Sequence, residues 1–216
     1  MLPLPKESNF DMLWRRYMKK EIFLSFRPNY FRPILYDMKK YEYRKRFCME
    51  PTTAFLYLTA PLCQVIGIIE LGVPIKTKEI IEKYPHESAI YKRIQHCIDV
   101  RELFAIPIES LQLYKEPISI STIKQLDPSF HVPRDYLVIS NYKIIHDYLK
   151  KQEMYDIEFY NAHDIIYESN LGMTCKEMEL TPEFVQKDFI YTNTAKYNAI
   201  KCGYLSEKFN RRVNEK

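Results

Sequence analysis

Short β-forming runs, cut off repeatedly by proline, set the strongest constraint on what this chain can fold into. Residues 22–26 are closed by Pro28 and residues 54–59 by Pro61, and the apolar run 65–71 follows at once. Further runs at 103–108, 111–114, 118–120 and 136–139 are punctuated by Pro107, Pro117, Pro128 and Pro133. Proline has no amide hydrogen to give to a ladder, so it ends strands or sits at edges and bulges. Many short strands in this rhythm predict a small β-barrel.

Helical spacing intervenes between the strands. Tyr30, Ile34, Leu35 and Met38 predict a helix over 29–38, in which Pro33 is tolerated only within the first turn. Helices are expected over 77–84 and 88–99, with Thr77 and Ser88 as N-caps, and over 141–151, with Asn141 as cap and Ile144, Ile145, Tyr148 and Leu149 as the apolar face. The fold class that follows is α+β. Its parts are an N-terminal arm at 1–20 carrying the single tryptophan Trp14, a barrel domain at 21–152 with flanking helices, and a helical C-terminal extension at 153–216. In the extension, Thr181 caps a helix that begins at Pro182, where a missing amide costs nothing. Asn193 or Thr194 opens another, with the stripe Tyr197, Ile200, Tyr204, Leu205 and Phe209.

Composition removes several function classes. A chain of 216 residues with 46% hydrophobic and 28% charged residues can bury a core of its own. Only four glycines occur, Gly67, Gly72, Gly172 and Gly203, too scattered for a phosphate-cradling loop. The five cysteines, Cys48, Cys63, Cys97, Cys175 and Cys202, contain no close pair, and the histidines His86, His96, His131, His146 and His163 are dispersed. A disulfide framework, a metal centre and a cofactor are therefore not expected. The longest apolar window, 65–73, is interrupted by Glu70 and is too short to cross a bilayer, and no signal peptide is visible. The expectation is a cytoplasmic protein without a membrane partner.

Charge is distributed unevenly. Residues 1–50 hold 12 Lys or Arg against 6 Asp or Glu, residues 51–150 hold 11 against 11, and residues 151–216 hold 9 against 11. The basic excess at the front suits a polyanion, since each neutralised phosphate releases counterions; a solvated surface would look the same. DNA binding by the acidic tail is not expected, because no turn signal separates two short helices there. The C-terminal helices instead dock on the barrel or form a homodimer contact.

The stretch 39–47 concentrates the chemistry. Read as a strand, it turns Tyr41, Tyr43 and Phe47 to one face and Lys40, Glu42, Arg44 and Arg46 to the other. The tyrosines then pack inward or offer a stacking platform for bases.

The ordered set Ser25-Phe26-Arg27-Pro28, Ile34-Leu35, Lys39-Lys40-Tyr41-Glu42-Tyr43-Arg44-Lys45-Arg46, Tyr57-Leu58-Thr59-Ala60-Pro61 and Val65-Ile66-Gly67-Ile68-Ile69-Glu70 resembles the ASCH branch of the PUA-like superfamily. The stretch from Glu116 to Tyr136 resembles the end of its longer members, so the resemblance spans 21–152 but not the two ends. It implies a PUA-like β-barrel associated with RNA or nucleotides, with Ser25, Arg27, Lys39, Glu42, Arg44, Arg46 and Thr59 around the barrel mouth as ligand-binding candidates. Arginine supplies forked donors for phosphate or a base edge, Lys39 a point charge, and Glu42 a counter-ion or proton acceptor. The same charges could equally form an ion-pair ladder with no ligand. Two positions depart from the family pattern. Asp37 replaces a glycine at the turn before the lysine, a substitution that Asp tolerates well. Glu42 replaces the threonine nucleophile of the family's amidohydrolases on acylated cytidine nucleosides, while Lys39 matches their lysine. A hydrolase of modified nucleosides or RNA using Lys39 and Glu42 as catalytic residues is thus the alternative, and an RNA- or nucleotide-binding, regulatory module the leading expectation.

Overall fold

The computed structural model describes residues 19–162, 167–194 and 196–197. Residues 1–18 of the arm, with Trp14, and His163, Cys202, Gly203 and the stripe residues Ile200, Tyr204, Leu205 and Phe209 lie outside them, while Lys20, assigned to the arm, opens the first strand. Among the described residues, eight strands form one mixed sheet: β1 (Lys20–Phe26), β2 (Tyr41–Arg44), β3 (Thr52–Leu58), β4 (Gln64–Leu71), β5 (Ile75–Lys76), β6 (Phe104–Ser119), β7 (Tyr136–Val138) and β8 (Phe159–Tyr160). The order is β2-β6-β4-β3-β1-β7, with β5 and β8 added to β6. Only β1 and β3 run parallel; the other pairs are antiparallel. The sheet curls into a half-barrel, and register shifts in β3, β4 and β6 mark where it bends.

The three runs expected between 103 and 120 are one strand of 16 residues, β6. Its prolines survive because neither sits where a ladder needs an amide. Pro107 falls where β4 has ended at Leu71 and β5 has not begun at Ile75, and Pro117 lies inside the register shift between the pairs Val65–Ile118 and Gly67–Leu113. β6 is the spine of the molecule: Ala105 pairs with both Tyr43 and Ile75, and Ser110 with both Glu70 and Tyr160.

Helices cover both faces. They are α1 (Phe31–Leu35), α2 (Thr77–Ile81), α3 (Ala89–Asp99), α4 (Ile120–Leu126), α5 (Lys143–Lys150), α6 (Glu168–Leu171), α7 (Cys175–Glu179) and α8 (Pro182–Thr192). The first expected helix is a 3-10 turn, Pro28–Tyr30, running into α1, with Pro33 in its first turn. Ser88 and Thr181 cap α3 and α8 as expected. Thr194 accepts a hydrogen bond from the Tyr197 amide, so the next helical turn opens there. Two caps differ. Thr77 is the first residue of α2, and its amide and hydroxyl both donate to the Leu103 carbonyl. Asn141 belongs to a 3-10 turn, and α5 starts after Tyr142 with no side-chain cap.

Alternation along β1 divides the core. Ile22, Leu24 and Phe26 face α1 and, beyond it, Met178 and Phe184 from the C-terminal helices. Phe23, with Phe55, Tyr57 and Tyr114, faces Ile123 of α4 and Ile145 and Leu149 of α5. A third cluster joins Tyr41 of β2 to Ile80, Ile94 and Leu171. Residues beyond 152 thus supply β8 and part of two cores. On the second face the Tyr114 hydroxyl donates to the Leu149 carbonyl at 2.9 Å, tying β6 to the end of α5. Tyr114→Phe leaves that carbonyl to the longer Gln152 amide contact at 3.5 Å and is expected to lower stability by about 1 kcal/mol, read as a shift in urea midpoint at constant slope.

Candidate functional site

The turn from α1 into β2 sets up the site. Asp37 takes a left-handed backbone, φ 55°, where Asn, Asp and Gly are the residues best tolerated. Its carboxylate pairs with Lys40 at 2.6 Å and accepts from the Asn161 side-chain amide at 3.1 Å. Lys40 also donates to Asn161 at 2.6 Å and lies over the Tyr167 ring at 4.8 Å. This draws Lys40 away from Glu42, so the expected four-charge face does not form. Lys39 takes its place: its ammonium donates to the Tyr41 carbonyl at 2.7 Å and sits 3.2 Å from Glu42 Oε2.

Glu42 is held from its other side by Arg44, whose Nε lies 2.8 Å from Oε1. That is a charge contact, since the N–H is not aimed at the oxygen. The Arg44 fork instead directs Nη2 to the Ser25 carbonyl at 2.9 Å, while Nη1 stands 3.7 Å from Asp135. Ser25 donates its hydroxyl to the Pro133 carbonyl at 2.6 Å, and its amide donates to the Asp135 carbonyl. Lys39 and Glu42 are each only 7% exposed. Buried Ser25, Lys39 and Glu42, with half-buried Arg44, therefore form one connected polar chain joining β1, β2 and the loop before β7.

The remaining candidates lie outside it. Arg27 and Arg46 are exposed, Arg46 because β2 stops at Arg44 and the chain bends away. Thr59 is half-buried and its amide donates to the Phe26 carbonyl, which puts it beside the end of β1. Two further exposed cations join this rim, Lys45 and Arg134. The nearness of Arg134 depends on a loop returning to β1 from more than a hundred residues away, which local patterning does not reveal.

The tyrosines pack inward. Tyr41 lies in the third core cluster, and its hydroxyl accepts from the Tyr167 amide at 3.2 Å. The Tyr43 ring lies between the Lys39 ammonium at 5.5 Å and the Arg93 guanidinium at 5.0 Å, and its buried hydroxyl has no hydrogen-bond partner among the described residues. Burial pushes the Tyr43 phenol well above its ordinary range. Arg93 also lies 2.7 Å from the Cys97 sulfur, and burial pushes that thiol up to about 12 against the pull of the guanidinium. Neither group is poised to ionise near neutrality. Among the described residues, no group of three His, Cys, Asp or Glu side chains is placed to hold a metal, and no helix is long and apolar enough to cross a membrane.

The chain is similar to ASCH structures. The crystal structure of ASCH from Zymomonas mobilis aligns at 18% identity with a TM-score of 0.48, over 62% of this chain and 96% of that one. Two single-substitution variants of the same protein, a Ser-to-Ala and a Tyr-to-Phe form, align at 18% and 17% identity with TM-scores of 0.47 and 0.48. These again cover 62% of this chain, and 98% and 100% of theirs. No family model matches the chain, and no curated protein matches it.

Proposed function

We propose that the end of the half-barrel where β1, β2 and the loop before β7 converge binds single-stranded RNA. The observation that supports this reading is the layering of charge. Arg44 is fixed beneath the surface, and Arg27, Lys45, Arg46 and Arg134 stand exposed on the three segments that it joins. Asp135, the acidic residue amid them, already faces Arg44. Tyr30, 39% exposed and packed edge-on against Phe26, supplies an aromatic face next to Arg27. Cations that track phosphates beside a ring on which a base can stack are the two components of sequence-tolerant single-strand binding.

A hydrolytic role for Lys39 and Glu42 fits this geometry less well. A general base needs an oxygen within hydrogen-bond reach of substrate, and both oxygens of the buried Glu42 carboxylate already face cations. The test is fluorescence anisotropy with a labelled single-stranded oligoribonucleotide across a salt series. Affinity is expected to fall linearly with salt on logarithmic axes, and each phosphate-contacting cation lost to alanine lowers that slope by about 0.7. Arg46→Ala combined with Arg134→Ala is expected to weaken binding by roughly tenfold at low salt, about 1.4 kcal/mol. Absence of binding at low salt, or an unchanged slope in the double variant, would discard the reading. Turnover of acylated cytidine or of the oligonucleotide itself, abolished by Lys39→Ala, would restore the hydrolase.

A further inference from the structure

We propose that the single-strand path continues beyond the rim, past the paired ends of β2, β5 and β6, to a second phosphate-binding point at Arg101 that only longer oligonucleotides reach. The inference rests on the RNA reading of the rim and extends it. Strand pairing places the site. Arg44, the last residue of β2, is opposite Phe104, the first residue of β6, and Lys76, the last residue of β5, is opposite the same Phe104. The segments leaving β2 and β5 and the segment entering β6 therefore lie side by side at the rim end of the sheet. Neighbouring strands are about 4.8 Å apart, so the three span roughly 10 Å. Lys45 and Arg46 stand exposed on the first segment, Lys78 on the second, and Arg101 and Leu103 on the third.

The backbone separates Arg101 from an ordinary surface cation. α3 ends at Asp99, Val100 is its C-cap, and Arg101 follows with φ 63°. The Arg101 amide donates to the Ile98 carbonyl at 2.9 Å and the Glu102 amide to the Cys97 carbonyl at 2.7 Å, the two bonds of a Schellman ending. Glycine is the common residue at that left-handed position, because a Cβ there crowds the following carbonyl. Arginine at this point costs stability, and no contact of its side chain offsets the cost. Among the described residues the Arg101 guanidinium has no ion pair and no hydrogen bond, so it does not cap the last carbonyls of α3. Backbone strain of this kind concentrates at ligand sites.

The surroundings suit a nucleotide. Val100, 53% exposed, and Leu103, 38% exposed, put apolar surface on either side of a forked phosphate donor. The acids nearby are engaged: Asp99 accepts from Gln95 at 2.8 Å, Glu79 faces Lys76 at 3.5 Å, and Glu102 is half-buried beside Cys97. Arg101 is thus held in the open at a cost to the fold, next to Arg46 and in line with the rim.

The test uses the full chain and fluorescein-labelled oligouridylates of about 4 and about 12 nucleotides, read by anisotropy across a salt series, with urea midpoints measured in parallel. Arg101→Gly is expected to raise the midpoint while weakening the longer probe roughly fivefold at low salt and lowering its salt slope by about 0.7. The shorter probe, which the rim alone holds, keeps its affinity. Arg101→Lys retains the charge and the left-handed backbone, so its slope and midpoint stay native. Lys92→Ala, an exposed cation lost near the start of α3, changes neither quantity. Unchanged binding of the longer probe by Arg101→Gly, when the native chain binds it, overturns the extension and leaves the rim reading standing. An equal loss on both probes also overturns the extension, since Arg101 would then belong to the rim itself. A midpoint that falls in Arg101→Gly shows that the arginine serves the fold and overturns the inference on its other side. If the native chain binds neither probe, the RNA reading of the rim falls and the extension falls with it.

Discussion

Replacing Gly67 by alanine is expected to cost at least about 3 kcal/mol, beyond the usual range for an added methyl, and to shift the urea midpoint accordingly. A Cβ at this position of β4 would land on the Gln112 carbonyl oxygen and stand 2.8 Å from the Leu113 Cα. Both are backbone atoms of β6, so no rotamer change relieves the clash. Residue 67 also sits at the register shift where Val65 pairs with Ile118 and Gly67 with Leu113, which is where β4 and β6 bend together. Room for the methyl has to come from separating two strands joined along a long ladder, and Ile66 and Leu113 in the core beside it would lose their packing. Gly72→Ala is the informative comparison. There the Cβ would approach Glu109 Oε1, a side-chain atom, at 2.6 Å. A side chain can swing, so that variant is expected to be the milder of the two. Equal effects at both positions would mean that the close approach at Gly67 does not govern the bend.

The same contrast between backbone geometry and side-chain choice explains what could be read in advance. Strand runs and helix stripes were legible because burial imposes a period of two or of about three and a half on any sequence, and Thr181-Pro182 and Ser88 announced their helices by local chemistry alone. From sequence β6 reads as three pieces, because proline argues against a strand except at a gap or bulge, and both exceptions depend on partners far away in sequence. Lys39, Glu42 and Arg44 could be grouped because they are neighbours in the chain. That Lys40 would turn away required Asn161 and Tyr167, and that Arg134 would join the rim required the Ser25–Pro133 contact. The helices between Glu168 and Thr192 are legible only as helices, since nothing in an amphipathic pattern states which surface they will cover.

Glu42→Ala is expected to destabilise the protein by about 3–5 kcal/mol, because it removes the carboxylate that the buried Lys39 and the half-buried Arg44 share. Lys39 would keep the Tyr41 carbonyl, and Arg44 the Ser25 carbonyl and Asp135. Neither carbonyl replaces a carboxylate 3.2 Å and 2.8 Å from the two charges. Glu42→Gln preserves the shape and removes only the charge, so a loss close to that of alanine would assign the effect to electrostatics rather than packing. The decisive comparison is the triple variant Lys39→Met, Glu42→Leu, Arg44→Met. Buried ion networks replaced together by apolar residues of similar size often cost little or even stabilise. If the triple variant is as stable as the native chain, these charges are not there for stability. Loss of oligoribonucleotide binding in that folded variant would then assign them to the ligand. Unaltered binding together with unaltered stability would confine recognition to the exposed rim. A triple variant as unstable as Glu42→Ala would make the chain from Lys39 to Ser25 the structural joint between β1, β2 and the loop before β7, with the rim cations alone left to meet the ligand.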